Sequence, residues 1–167
     1  MKTNTLTKCI VAAVVMSGFV STASALTAAD AANILYIKQE EKVARDAYQA
    51  LYAKWGHNTF ANIAVSEQRH MDSMDELIAR YRLKDTTPAE AGKFTIPELQ
   101  ALHDRLVEFG NQSLENALAV GVLIEQTDIA DLQEALAATR EKPIKQVLNN
   151  LLNGSYNHLD AFTRALQ

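Results

Sequence analysis

The sequence predicts an all-helical fold: a bundle of four long helices, with a long crossover between the second and third that carries a short extra helix. Three observations point there. Apolar residues recur at alternating three- and four-residue intervals through four long segments, the spacing of one buried helix face. Gly and Pro are few, six and three in 167 residues, so the chain has little to interrupt a helix. No segment alternates apolar and polar residues with the period of a half-buried strand.

The first 25 residues stand apart from the fold. Lys2 and Lys8 precede an apolar run, Cys9 to Val20, and Ala23-Ser24-Ala25 closes it with an A-x-A cleavage pattern. This predicts a cleaved secretory signal peptide over 1–25 and a mature domain over 26–167, periplasmic or secreted. The run is shorter than the roughly 20 apolar residues a membrane span needs. Cys9 is the only cysteine, so the mature domain has neither disulfides nor thiolate metal sites. All other basic residues lie after position 25, where acidic residues outnumber them. Nothing in that balance suggests nucleic acid or an anionic membrane as a partner. Oligomeric state is left open.

Turn and cap signals divide the mature domain. Thr27-x-x-Asp30 opens a first helix that runs to about Lys54, with Gly56 as its stop. A second helix spans about Thr59 to Arg82. Leu83 to Lys93 is a connection, marked by Thr87-Pro88 and Gly92. Thr95-Ile96-Pro97-Glu98 reads as a capping box with an early proline, opening a short helix to about Phe109. A third long helix spans about Ser113 to Thr139, and Lys142-Pro143 marks the turn into the last one. The long crossover, Leu83 to Gly110, implies that the second and third long helices run parallel.

Each apolar stripe is interrupted in its middle by polar residues. The first reads Ile34, Ile37, Glu41, Ala44, Tyr48, Leu51, and the second Phe60, Ile63, Glu67, His70, Met74, Leu77. The third reads Leu118, Gly121, Glu125, Asp128, Leu132, and the fourth Leu148, Leu151, Ser155, His158, Phe162. Glu41, Glu67, Glu125 and Asp128 would bring four carboxylates into one interior, with no Lys or Arg on those stripes to balance them. Burying uncompensated charge costs several kcal/mol. Two divalent cations would balance the four charges, with imidazoles from His70 and His158 completing the shell.

Spacing along the chain supports one common layer. Counting through the turns at Gly56 and Lys142, Glu41 faces the level of Glu67 and His70, and Asp128 that of Ser155, to within a turn. Residues three apart share a helix face, so Glu67 with His70, and Glu125 with Asp128, can serve one metal pair. Oxygen donors with one imidazole each suit iron or manganese better than structural zinc.

The arrangement resembles the di-iron or di-manganese carboxylate proteins of the rubrerythrin and ferritin-like superfamily. Glu67-Gln-Arg-His70 matches their Glu-x-x-His, and Glu41-Lys-Val-Ala-Arg-Asp-Ala-Tyr48 is similar to their first metal helix. The whole mature chain more closely resembles the ferritin-like domain-of-unknown-function family 2202 (DUF2202), through EEKVARDAY, IAVSEQRHM, GVLIEQTDIADL and NGSYNHLDAF, which together reach from Glu40 to Phe162. The resemblance implies a ferritin-like four-helix bundle and a di-metal site. One departure stands out: Ser155-x-x-His158 replaces the second Glu-x-x-His, so a bridging carboxylate is missing and Asp128 restores only the count.

Some positions carry two readings. Asp128 is either a ligand or a carboxylate that holds His70 or His158 in the right tautomer. Glu41 keeps the Ile37-to-Ala44 spacing, which the adjacent Glu40 does not. Tyr48 is a core residue or a donor to the ligands, and Asp131 reads as a solvated acid. His57 and His103 receive no role. The expected function is a non-haem di-metal protein with oxidase- or peroxidase-type activity toward oxygen or peroxide. The alternative is a non-catalytic metal-binding or interaction protein with a partly degraded site.

Overall fold

The computed structural model describes residues 26–167. The signal peptide expected over 1–25 lies outside the described residues. Five helices follow in order: α1 (Ala28–Trp55), α2 (Asn58–Tyr81), α3 (Pro97–Gly110), α4 (Leu114–Ala138) and α5 (Lys142–Ala165). Among the described residues there is no strand, and no helix is long and apolar enough to cross a membrane.

The helix ends follow local chemistry. Thr27 and Asp30 form the expected capping box: the Thr27 hydroxyl accepts from the Asp30 backbone N–H at 3.0 Å, and the Asp30 carboxylate accepts from that of Thr27. Gly56 closes α1 at φ 65°, a left-handed conformation that suits a residue without a β-carbon. The capping box expected at Thr95 does not form. Ile96 is the N-cap of α3, without a side-chain cap. Thr95 is turned instead to Gln39: its hydroxyl accepts from Gln39 Nε2 at 2.7 Å and its N–H donates to Gln39 Oε1 at 2.9 Å. Docking the crossover onto α1 uses the groups that would have capped α3.

Four long helices share the interior. α1 packs on α2 and α4, and α5 packs on α4 and α2, while α3 rests against α1 and α4. Tyr48 meets Glu125, and Ile37 lies beside Asp131 and Ala135, so α1 and α4 are antiparallel. Since α1 and α2 form an antiparallel hairpin, α2 and α4 run parallel, as the long crossover requires.

The apolar interior is split. One cluster, with Tyr48, Leu51, Phe60, Leu118 and Phe162, fills one end. Another, with Ile34, Ile37, Met74, Leu132, Leu148 and Leu151, fills the other. The polar positions of the four stripes lie between them. The three- and four-residue spacing therefore sets burial correctly, and the residues interrupting each stripe are themselves buried.

The crossover is anchored by charge. Lys42 donates to Asp46 Oδ2 at 2.5 Å and to the carbonyls of Glu90 and Lys93, and the Gly92 N–H donates to Asp46. Lys38 pairs with Asp75 and with Asp85. These bonds lay the segment after α2 along the outer side of α1 and place α3 over the α1–α4 seam.

Candidate metal centre

Five of the six residues expected to bind metal meet in the polar layer. α1 supplies Glu41, α2 supplies Glu67 and His70, α4 supplies Glu125 and α5 supplies His158. They form two trios, Glu41–Glu67–His70 and Glu67–Glu125–His158, each with donor atoms within 4.8 Å of one another. Glu67 belongs to both. Its Oε2 lies 2.8 Å from His70 Nδ1 and its Oε1 lies 2.9 Å from His158 Nδ1. His70 Nδ1 is 3.2 Å from Glu41 Oε2, and His158 Nδ1 is 3.5 Å from Glu125 Oε2. The two imidazoles lie with ring centroids 5.4 Å apart.

The electrostatics show how far the layer is from neutral balance. Burial pushes the Glu41 carboxyl up to about 8, against the opposing pull of His70. Burial and then the charge of Glu67 push Glu125 up to about 8 as well. Burial would raise Glu67 too, but the two imidazoles close beside it, His158 and His70, outweigh that and bring Glu67 down to about 2. Burial lowers both histidines, yet the surrounding carboxylates lift His70 to about 11 and His158 to about 10.

The donor set fits divalent ions on geometric grounds. Glu41 Oε1, Glu67 Oε1, Asp128 Oδ1 and His158 Nδ1 are buried without a hydrogen-bond partner. Unpaired polar atoms of this kind are costly and rare. His158 Nδ1 and Glu67 Oε1 lie 2.9 Å apart. Two donors each about 2.1 Å from one ion and at right angles lie about 3.0 Å apart.

Asp128 and Ser155 face each other beside the trios. Ser155 Oγ is 2.5 Å from Asp128 Oδ2 and 3.0 Å from the Leu151 carbonyl, with one proton to give. Burial and then the nearby Glu41 hold the Asp128 carboxyl well above its ordinary range. Asp128 thus belongs to neither trio, and Ser155 restrains it. Tyr48 donates to Glu125 Oε1 at 2.7 Å and packs on Phe162. His103 is buried away from the layer, against Phe94 and Gly92.

Two contributors escape the stripe pattern. Glu40 is buried near Asp131 and Asp128, although its spacing does not place it on the core stripe, and Asp131 lines a surface cleft, half-buried. Gly154 makes room for His70: a β-carbon there would lie 2.5 Å from His70 Nε2. A glycine inside a helix, one turn before His158, is the signal that was available for it.

Residues 30–167 match the family described as "Uncharacterized protein domain (DUF2202)". "Uncharacterized protein MJ0754" of Methanocaldococcus jannaschii is 43% identical over 134 residues, covering 80% of this chain and 72% of the relative. The crystal structure of hypothetical protein MJ0754 from Methanococcus jannaschii is similar with a TM-score of 0.80 at 42% identity, covering 81% of this chain and 78% of that one. The chain belongs to the DUF2202 family.

Proposed function

We propose that this DUF2202 protein is an exported, ferritin-like four-helix bundle that holds two iron or manganese ions and uses them in oxidase- or peroxidase-type chemistry on oxygen or peroxide. The observation that carries the reading is the sharing of Glu67: its two oxygens address different histidines, and each resulting pair has one further carboxylate. Such ions, when bound, supply a change of oxidation state and so a route for electrons to a small oxidant.

Glu41 with His70 would hold one ion and Glu125 with His158 the other, with Glu67 between them. Glu41 and Glu125, whose carboxyls burial holds above their ordinary range, would be deprotonated as ligands. The Tyr48 hydroxyl fixes the orientation of Glu125. Ile37, Met74 and Leu151 on one side, and Tyr48, Phe60 and Phe162 on the other, exclude water and so strengthen the charge interactions between them. Residues 1–25 would direct export, leaving a mature chain that begins near Leu26.

A second reading is a non-catalytic metal-binding or interaction protein. It is favoured by Ser155, which supplies no carboxylate to the layer and ties Asp128 back. Metal content and the optical spectrum of purified protein separate the two. The enzyme reading expects two iron or manganese ions per chain and a spectral change on adding peroxide. Glu67→Ala is expected to abolish metal content and His103→Ala to leave it intact. Metal-free wild-type protein, with stability unchanged by Glu67→Ala, would overturn the metal centre. Metal content without any response to oxygen or peroxide would favour the second reading.

A further inference from the structure

The polar layer is not sealed equally on all sides. Of the four seams between neighbouring long helices, α1–α2 and α4–α5 are hairpins, and α3 lies over α1–α4. The fourth seam, α2–α5, has no helix over it among the described residues. The donors of the trios divide accordingly. The side chains of Glu41, Glu67 and Glu125 are each 2% exposed, whereas those of His70 on α2 and His158 on α5 are each 10% exposed. Nδ1 of each ring is turned to the carboxylates. Nε2 of neither ring is hydrogen-bonded among the described residues, and neither Nε2 is shut off from solvent. Imidazoles that bind metal ordinarily have this outer nitrogen held by a carboxylate or carbonyl.

The residues along the uncovered seam are small at the level of the rings. At one end, Leu77 and Arg80 face Gln146 and Val147 across a cleft of about 200 Å³. α2 and α5 are antiparallel, so two turns further on His70 is level with Gly154, and a β-carbon there would lie 2.5 Å from His70 Nε2. Ser73 and Ser66, one turn to either side of His70, share its flank of α2 and are half-buried. The α3 side differs. Its pocket between Glu40, Val43, Leu102, Leu106 and Ile124 has about 20 Å³, room for about one water and no passage for a hydrated ion.

We propose that the α2–α5 seam at Gly154 is the entry path for divalent cations, which shed water between Ser66 and Ser73 and pass the imidazole edges to reach Glu67. The path rests on the reading of the trios as a metal centre. A metal site needs an entry route as much as it needs ligands. This one is a single side chain deep, so it requires no relay of groups through the core. One ring swings aside on its side-chain torsions, and nothing holds its outer nitrogen back. The same freedom explains why neither Nε2 has a protein partner: a carboxylate bound there would fix the ring and bar the way.

Rapid-mixing uptake of cobalt(II) by metal-free protein, followed by visible absorption and closed by a metal assay, tests the path. Wild type is expected to end with two cobalt ions per chain. Ser66→Leu and Ser73→Leu fill the seam without touching a ligand's donor atoms. Both are expected to reach the same content about tenfold more slowly, a barrier higher by about 1.4 kcal/mol. Thr127→Leu, at an exposed position beside the α3-side pocket, is expected to load at the wild-type rate. The two serines are independent positions, so either variant keeps the test open if the other fails to fold. Unchanged rates in the serine variants overturn the path alone, as does equal slowing in Thr127→Leu. A reduced final content at unchanged rate also overturns it, since the serines then act on the site and not on the way in. Wild type that takes up no cobalt overturns the centre and the path together.

Discussion

On one side of α1, Lys42 and Asp46 lie 2.5 Å apart, each side chain 1% exposed, and nearly every further polar atom around them is paired. On the other side, Glu41 faces Glu67, Glu125 and Asp128 with two histidines and no lysine or arginine. Both regions bury charge at comparable depth on the same helix. The first is closed: its cation comes from the chain, and its hydrogen bonds tie down a neighbouring segment. The second is open: four acids exceed what the chain supplies, and several donor atoms remain unpartnered. Burial of charge alone therefore says little about function. What distinguishes a site is charge the chain leaves unbalanced.

The largest expected effect breaks the closed side. Lys42→Met leaves Asp46 buried with only Arg45 and the Gly92 N–H, and it releases the crossover from α1. A loss of about 3 kcal/mol is expected in urea unfolding, the low end for an orphaned buried partner because Arg45 remains. The loss should be the same with and without metal; a loss confined to metal-loaded protein would mean the two sides are not separate.

Acidity sharpens the contrast. In metal-free protein Glu41 and Glu125 titrate near 8 against an ordinary 4.5, so the folded state holds protons that the unfolded chain has released. Their contribution is full below 4.5 and is lost as pH rises to about 8. His70 and His158 are raised as well, so theirs is lost as pH rises from 6.5 to about 11 and about 10. Glu67 is lowered, and its contribution is lost as pH falls from 4.5 to about 2. On the closed side Asp46 and Asp85 are lowered below 3.8 and Lys38 is raised above 10.5, which leaves that side level between those values. Melting temperature in the presence of a chelator should peak near pH 4.5 and fall toward pH 8. Metal should reverse the trend, because ligands bind deprotonated. A flat profile with the chelator would show that the layer is balanced without metal.

The smallest change is a single methyl group. Gly154→Ala places a β-carbon against His70 Nε2 and must displace the ring. Metal affinity is expected to fall by about 10- to 100-fold, the range for disturbing a group that orients a ligand. Metal-free stability should fall by about 1–3 kcal/mol, because the displaced ring is buried and sits against Glu41 and Glu67. Equal affinity by titration would remove Gly154 from the site.

Much of the open side was legible along the chain. A helix repeats its face every three or four residues, so Glu41, Glu67, His70, Glu125 and His158 declare themselves as polar breaks in apolar stripes. The closed side was not legible. Lys42 and Asp46 lie off the stripe, and the segment that covers them is about fifty residues away and leaves no period in α1. Thr95 misled for the same reason: its partner is Gln39, not the turn it precedes. Glu40 and Gly154 are buried or crowded by neighbours on other helices, which spacing within one helix does not encode.

By itself, then, the sequence determined that four helices form, which face of each turns inward and that acids and histidines meet there at one level. Local spacing and capping are enough for that, since they act within a turn or two. Only the tertiary structure decided that Glu67 serves both trios, that Ser155 engages Asp128, and that Lys42 rather than a core residue secures the crossover. Those outcomes depend on the axial offset and rotation between helices. A shift of one residue, about 1.5 Å, is enough to change which side chains touch.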